Sequence, residues 1–372
     1  MQKRTCGRTG LELTIVNFGG MRIHGSDAEA HARLVRQAAE AGFNYFETSN
    51  SYCSGSSETK IGMGLAGFPR QRVHISSKCG CNKFPTADSA RKVIEESLRK
   101  LRVDYLDFYQ LWGLGWRQFN EIAAVPGGTL EGIRRAMSDG LIRHLGFTTH
   151  DSVEGIIKLL RTGEFESVTL PYNVLDRVNA PAIAEAGRLG LGVVVMCPLH
   201  GGILGYDSPT IRKLMGGPAV RSTADAAFRF VLSNPNVTCA ISGMTAGSDI
   251  VENCRTATEF RPMSAQELAA VDAALKEFKA ASEKLCTGCR YCMPCEQGVG
   301  ISEIFRLANA FRIYGLEGGA RRDYALFDKE WPYEQYKDAS ACSRCRKCQE
   351  KCPQKISIPE ELAKAHEILA GK

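Results

Sequence analysis

A chain of 372 residues, 44% hydrophobic and 24% charged, holds enough apolar material for a large globular domain with a smaller one beside it, which argues against a disordered chain. Its longest apolar stretches, such as residues 190–199, are strand-sized and not bilayer-sized, so no membrane span is expected. The formal charge of +6 comes from scattered basic residues and gives no support to a nucleic-acid partner. The opening residues, Met1 to Cys6, lead into no signal-peptide core, and fifteen cysteines suit a reducing interior, so a cytoplasmic location is expected.

From there the chain alternates. Apolar, β-branched segments at 14–19, 44–49, 73–78, 105–111, 144–149, 167–172, 192–197 and 238–243 read as eight strands with helical segments between them. Ala90, Val93, Ile94, Leu98 and Leu101 repeat at helical spacing behind an N-cap at Thr86. Alternation of this kind requires parallel strands joined by crossover helices, and eight units in roughly 260 residues match a closed (β/α)8 TIM barrel, an α/β fold. An open doubly wound sheet is the rival. Its support would be Gly62, Gly64 and Gly67, which have the spacing of a dinucleotide fingerprint, but they close a helical segment beginning near Ser57 and have no strand before them.

Beyond the barrel, Ser264 and Glu267 form a capping box for a helix with Leu268, Val271, Leu275 and Phe278 on its apolar face. This helix is expected to pack on the barrel and lead into a second domain. Two cysteine runs follow: Cys286, Cys289, Cys292 and Cys295, then Cys342, Cys345, Cys348 and Cys352, the last before Pro353. Thiolates three residues apart can wrap a cubane from one loop, and the second run has the bacterial ferredoxin spacing, which predicts two [4Fe-4S] clusters. In two-cluster ferredoxins the fourth cysteine of each run ligates the other cluster. Cys286, Cys289 and Cys292 are therefore grouped with Cys352, and Cys342, Cys345 and Cys348 with Cys295. Paired zinc sites are the alternative, but these usually separate two C-x2-C units by a spacer. With both clusters in place the net charge falls to about +2, since each oxidised cubane with its thiolates carries about −2. Residues 301–314 have helical character, so the domains are drawn as a barrel over 1–282 and a small, mainly helical ferredoxin-like domain over 283–372 that folds when metal arrives.

At the end of an expected strand, the stretch from Gly42 through Glu47 to Tyr52, followed by Ser57-Glu58, resembles the segment of the aldo-keto reductase family that has its catalytic aspartate and tyrosine. Ser76-Ser77-Lys78 is similar to the motif of its catalytic lysine, and Tyr105 to Trp112 to the strand that usually ends in its catalytic histidine. Thr149-His150, Pro171-Tyr172-Asn173, Pro198 to Gly202, and Gly243-Met244 through Glu252-Asn253 follow in the family's order. The cysteine runs resemble the C-terminal ferredoxin-like extension of one branch of it.

The resemblance implies NAD(H) or NADP(H) as cofactor, a small-molecule carbonyl or alcohol as substrate, and Tyr52, Lys78, Glu47 and Trp112 as the catalytic set. Thr149, His150, Asn173, Gly243, Met244, Glu252 and Asn253 would hold the cofactor. Elementary chemistry agrees: hydride reduction of a carbonyl needs a proton for the developing alkoxide, Tyr52 can supply it, and a neighbouring Lys78 ammonium would favour the phenol's ionised form. Two positions depart from the family. Glu47 replaces an aspartate, and Trp112 replaces a histidine with an indole that has one N–H and cannot shuttle a proton; His150 is the nearest histidine that could substitute. Cys53, Cys79 and Cys81 lie beside this set and read as small buried hydrophobes, with a third metal site or a redox thiol pair as the alternative. No lysine or arginine precedes Arg255 in the segment after Gly243, and Asp249 would repel a 2′-phosphate, so NAD(H) is expected to bind at least as well as NADP(H). The first functional reading is a hydride-transferring oxidoreductase whose clusters serve a one-electron redox partner protein or stabilise the fold. The second is an electron-transfer adaptor with a ligand-binding but catalytically altered barrel.

Overall fold

The computed structural model describes residues 1–215, 220–281, 286, 290–330 and 332–371. Eight parallel strands form a closed barrel: β3 (Val16–Gly19), β4 (Tyr45–Glu47), β5 (His74–Cys79), β6 (Leu106–Leu111), β7 (Ile142–Thr148), β8 (Ser167–Pro171), β9 (Gly192–Met196) and β10 (Cys239–Ser242), with β10 pairing back to β3. The expected eight strands are these eight. Ahead of them lies an element that the pattern did not reveal, an antiparallel hairpin of β1 (Lys3–Thr5) and β2 (Glu12–Thr14). Strands of three residues are too short to show a period. Leu13 and Cys6 from the hairpin region join Tyr45, Phe108, Val194 and Cys239 in one buried cluster, so the hairpin closes the barrel's N-terminal end. Chemistry is left to the opposite rim, where the strands end.

Gly62 and Gly64 lie inside the helix Ser57–Leu65 and not in a strand-to-helix turn. A Cβ at Gly62 would come within 2.5 Å of the Lys100 carbonyl oxygen, and one at Gly64 within 2.6 Å of Ala32 O. Both glycines therefore serve close helix packing, which leaves the fingerprint reading without a site. This helix also fixes the loop after β3. Lys60, buried, donates to the carbonyls of Ile23 at 2.7 Å and Gly25 at 2.8 Å, and Ser57 Oγ donates to Gly20 O at 2.8 Å.

The chain divides into two compact units: Met1–Pro198 with Phe228–Pro262, and Leu199–Ala227 with Met263–Lys372. In the second unit, Ser264 N donates to Glu267 Oε2 at 2.7 Å and Glu267 N to Ser264 Oγ at 3.2 Å, the expected capping box, at the start of the helix Ala265–Ala281. Phe278's side chain lies outside the described residues. The helix Ile301–Tyr314 packs against Ile358–Ala370. Its Arg306 reaches Glu303 at 3.2 Å, His200 Nε2 at 3.3 Å and the Tyr333 hydroxyl, and Ser208 Oγ donates to Tyr314 O at 2.5 Å. The segment after β9 is thereby tied to the helices that flank the cysteine runs. No helix among the described residues is long and apolar enough to cross a membrane.

Candidate active site and cluster loops

Every residue assigned from sequence to the barrel's chemistry lies at the C-terminal rim or just beyond it. Glu47 ends β4, Lys78 is next to last in β5, Trp112 follows β6, Thr149 and His150 follow β7, Asn173 follows β8, and Gly243 and Met244 follow β10. Parallel register explains the convergence, since β4 pairs with β5 through Glu47 and Ser76, and β5 with β6 through Cys79 and Leu111.

Lys78 and Glu47 form a buried ion pair, and Lys78 Nζ also donates to Thr48 O at 2.9 Å. The additional methylene of Glu47 relative to aspartate has not cost the contact. Burial holds the Lys78 ammonium well below the usual lysine range, while Glu47 favours its charged form. The ammonium stands over the Tyr52 ring, 4.3 Å from its centroid, and Trp112 meets that ring edge-on with centroids 5.8 Å apart. Lys78 therefore faces the ring, and the expected lowering of the Tyr52 pKa does not occur. Burial, with Cys197, Tyr45 and Cys53 adding to it, pushes the hydroxyl above the ordinary tyrosine range. The shift makes the phenol a weaker acid that stays protonated at neutral pH, and it can still give its proton to an alkoxide, the more basic group. Trp112, 38% exposed, offers an apolar wall beside it, while His150 is exposed at the rim.

The cofactor positions fall into two kinds. Thr149, Asn173, Met244 and Asn253 are buried, and Gly243 and Glu252 are exposed. Asn173 is engaged in its own loop: its Oδ1 accepts from Leu175 N at 3.0 Å and Asp176 N at 2.9 Å, and its Nδ2 donates to Cys197 O at 3.1 Å. Asn253 Nδ2 donates to Ser242 Oγ at 3.1 Å. Asp249 does more than add charge. It accepts from Thr245 N at 2.7 Å and Ala246 N at 3.0 Å, and so caps the helix Gly247–Glu259 with amides that a phosphate would otherwise use. A basic residue also escaped the sequence reading here. A Cβ at Gly243 would lie 2.4 Å from Cγ of Arg22, so Arg22 lies across the start of this segment although more than two hundred residues separate them in sequence. Its position directly after the first barrel strand was the available signal.

The three extra thiols are set by burial and by backbone contacts. Burial pushes Cys79 up to about 12 and raises Cys53 and Cys81, and Cys53 Sγ donates to the carbonyls of Gly20 and Met21. Among the described residues no three His, Cys, Asp or Glu side chains converge as a single metal ion would require.

Cysteines of the two runs lie near one another in the second unit. Cys286, Cys292 and Cys352 line one pocket with Phe305, Ile356 and Ile358, while Cys289 lies outside the described residues. Cys348 lies within electrostatic reach of Cys295, Cys342 and Cys345. Arg290, Arg344 and Arg346 occur between cysteines of a run and are left-handed, with φ of 65°, 56° and 62°. Tight turns of this kind aim backbone amides at an anion.

Comparison with known proteins agrees with this geometry. The profile described as the aldo/keto reductase family matches residues 16–276. The chain belongs to the aldo/keto reductase family. A second profile, a 4Fe-4S dicluster domain, matches residues 282–356, so this aldo/keto reductase is an oxidoreductase fused to a ferredoxin-type domain for two clusters. It is 26% identical over 309 residues to L-galactose dehydrogenase of Arabidopsis thaliana, covering 75% of this chain and 96% of that one. It is 26% identical over 229 residues to the NADH-specific methylglyoxal reductase of Escherichia coli, covering 55% and 69%. Among solved structures, the holo form of an aldo-keto reductase from Bacillus halodurans aligns with a TM-score of 0.63 at 24% identity, over 73% of this chain and 96% of that one. A Klebsiella pneumoniae aldo/keto reductase in complex with NADP and acetate aligns with a TM-score of 0.62 at 22% identity, over 73% and 95%.

Proposed function

We propose that this aldo/keto reductase moves hydride between a nicotinamide cofactor and a small carbonyl or alcohol at the barrel rim, with Tyr52 as the proton donor. The observation that carries the reading is the Tyr52, Lys78 and Glu47 cluster, one buried ion pair under one protonated phenol. Bound at the rim, the nicotinamide supplies the hydride. The chain's own residues supply the rest: Tyr52 Oη gives its proton to the developing alkoxide, Lys78 fixes the ring from below, Glu47 keeps Lys78 in place, and Trp112 shields the substrate from water. Thr149, His150 and Asn173 border the nicotinamide end, and Gly243, Met244, Glu252 and Asn253 the phosphate end. The eight cysteines of the two runs hold the clusters in the crossed grouping, which gives the chain one-electron exchange. Anaerobic protein should oxidise NADH when aldehydes such as methylglyoxal are added. Oxidation driven only by an artificial acceptor such as ferricyanide would favour the adaptor reading.

Cofactor preference follows from Asp249. Isothermal titration should give NADH a dissociation constant no larger than that of NADPH. Asp249→Asn, which retains a capping oxygen while removing the charge, should shift preference toward NADPH by about fivefold or more. A dissociation constant for NADPH tenfold below that for NADH in the unmodified protein would make Arg22 the phosphate contact and sink the proposal.

A further inference from the structure

The second cysteine run has a surface of its own. Between Cys342 and Lys355, Arg344, Arg346, Lys347, Lys351 and Lys355 are all exposed, against one exposed acid, Glu350. Two of the five have surface partners, Arg346 with Glu360 at 3.2 Å and Lys347 with Glu296 at 2.8 Å. Exposed pairs of this kind are weak and yield readily to competing carboxylates. Arg344, Arg346 and Lys355 have left-handed backbones, with φ of 56°, 62° and 51°, and all three are exposed. Within this stretch Cys345 is itself exposed, whereas Cys286 and Cys292 of the first run share a pocket with Phe305, Ile356 and Ile358.

Electron tunnelling weakens steeply with distance, so an exposed cluster ligand marks where electrons cross between proteins. A ring of one charge sign around it selects the carrier, because charge complementarity sets encounter rate and register. We propose that this face docks an acidic one-electron carrier protein, which exchanges a single electron with the second cluster at Cys345. The step balances simply: the reduced cluster core would lose one electron and pass from 1+ to 2+, the oxidised carrier would gain it, and no bond or proton moves. The inference rests on the two-cluster reading of the second unit.

The test uses the anaerobic, iron-loaded full chain and two probes that differ in charge, plastocyanin, an acidic copper protein, and cytochrome c, a basic haem protein. Both accept one electron at high potential, so charge and not driving force separates them. Plastocyanin should bind in calorimetric titration at low salt and take electrons from the photoreduced chain faster than cytochrome c does, with both effects fading as salt is added. The triple change Arg344→Glu, Lys351→Glu, Lys355→Glu should weaken plastocyanin binding and slow its reduction by about tenfold or more, leaving NADH turnover and iron content unaltered. Should that variant fail to load iron, the triple change to Gln serves in its place, with a smaller loss in the same direction. Preference for cytochrome c, tight binding of duplex DNA at the same face, or unchanged plastocyanin kinetics in an iron-replete variant would overturn the docking proposal. Absence of iron from the unmodified chain would instead overturn the cluster reading on which it rests.

Discussion

Tyr52→Phe is expected to slow hydride transfer about 100- to 10,000-fold, the usual contribution of a positioned acid, while NADH affinity stays within about twofold. The substitution removes one hydroxyl and retains the ring that Lys78 and Trp112 contact, so the loss reports proton donation and not packing. The raised Tyr52 pKa adds a directional expectation. Because burial keeps the phenol protonated, carbonyl reduction should be level across neutral pH, whereas alcohol oxidation, which needs the ionised form, should rise as pH increases. Steady-state rates in both directions, with cofactor titration of each protein, check the prediction. Unaltered reduction by the Phe variant would remove Tyr52 from the mechanism and make His150 the next residue to test.

Cys352→Ser should disturb the cluster held by the first cysteine run and leave the second run's cluster intact. Cys352 shares its pocket with Cys286 and Cys292, although sixty residues separate it from the latter, and Cys295 lies within electrostatic reach of Cys348, fifty-three residues further on. Unmodified anaerobic protein should contain about eight irons and eight acid-labile sulfides, and the variant about four to seven, according to whether serine ligates or a corner iron is lost. With each site drawing on both runs, as the proposed grouping has it, folding of the second unit should depend on metal, and the variant should lose helical signal at a lower temperature. Resonance spectra that showed the second run's cluster altered and the first unchanged would contradict the crossed grouping.

The barrel was legible because its signal is local and repeated. Eight apolar segments separated by helical periodicity leave few topologies, and six of the strands then carry the proposed site residues to the same rim. The helix Ile301–Tyr314 and the Ser264–Glu267 capping box were readable for the same reason, since each depends on residues within a few turns. What the sequence concealed depends on distance or on which atom faces which. Arg22 lies against Gly243 only once the barrel closes. Lys78 reaches the face of the Tyr52 ring and not its hydroxyl, a distinction with no trace in residue order. Asp249 looked like a simple repulsive charge, and its second role as a helix cap emerges from the turn geometry at Thr245 and Ala246. The grouping of Leu199–Ala227 with the cluster-bearing unit rests on contacts such as Arg306 with His200, more than a hundred residues apart.

The central claim is that the barrel rim transfers hydride to a carbonyl carbon, and the fate of an isotopic label tests it most directly. Anaerobic, iron-replete protein would be given NADH deuterated at nicotinamide C4 together with a panel of aldehydes, and the alcohol products would be examined by mass spectrometry and NMR. Direct transfer predicts deuterium on the carbinol carbon, in amounts matching the NADH consumed and abolished with Tyr52→Phe. Cofactor that binds yet delivers no deuterium to any carbonyl, while its electrons appear in an artificial one-electron acceptor, would contradict the claim.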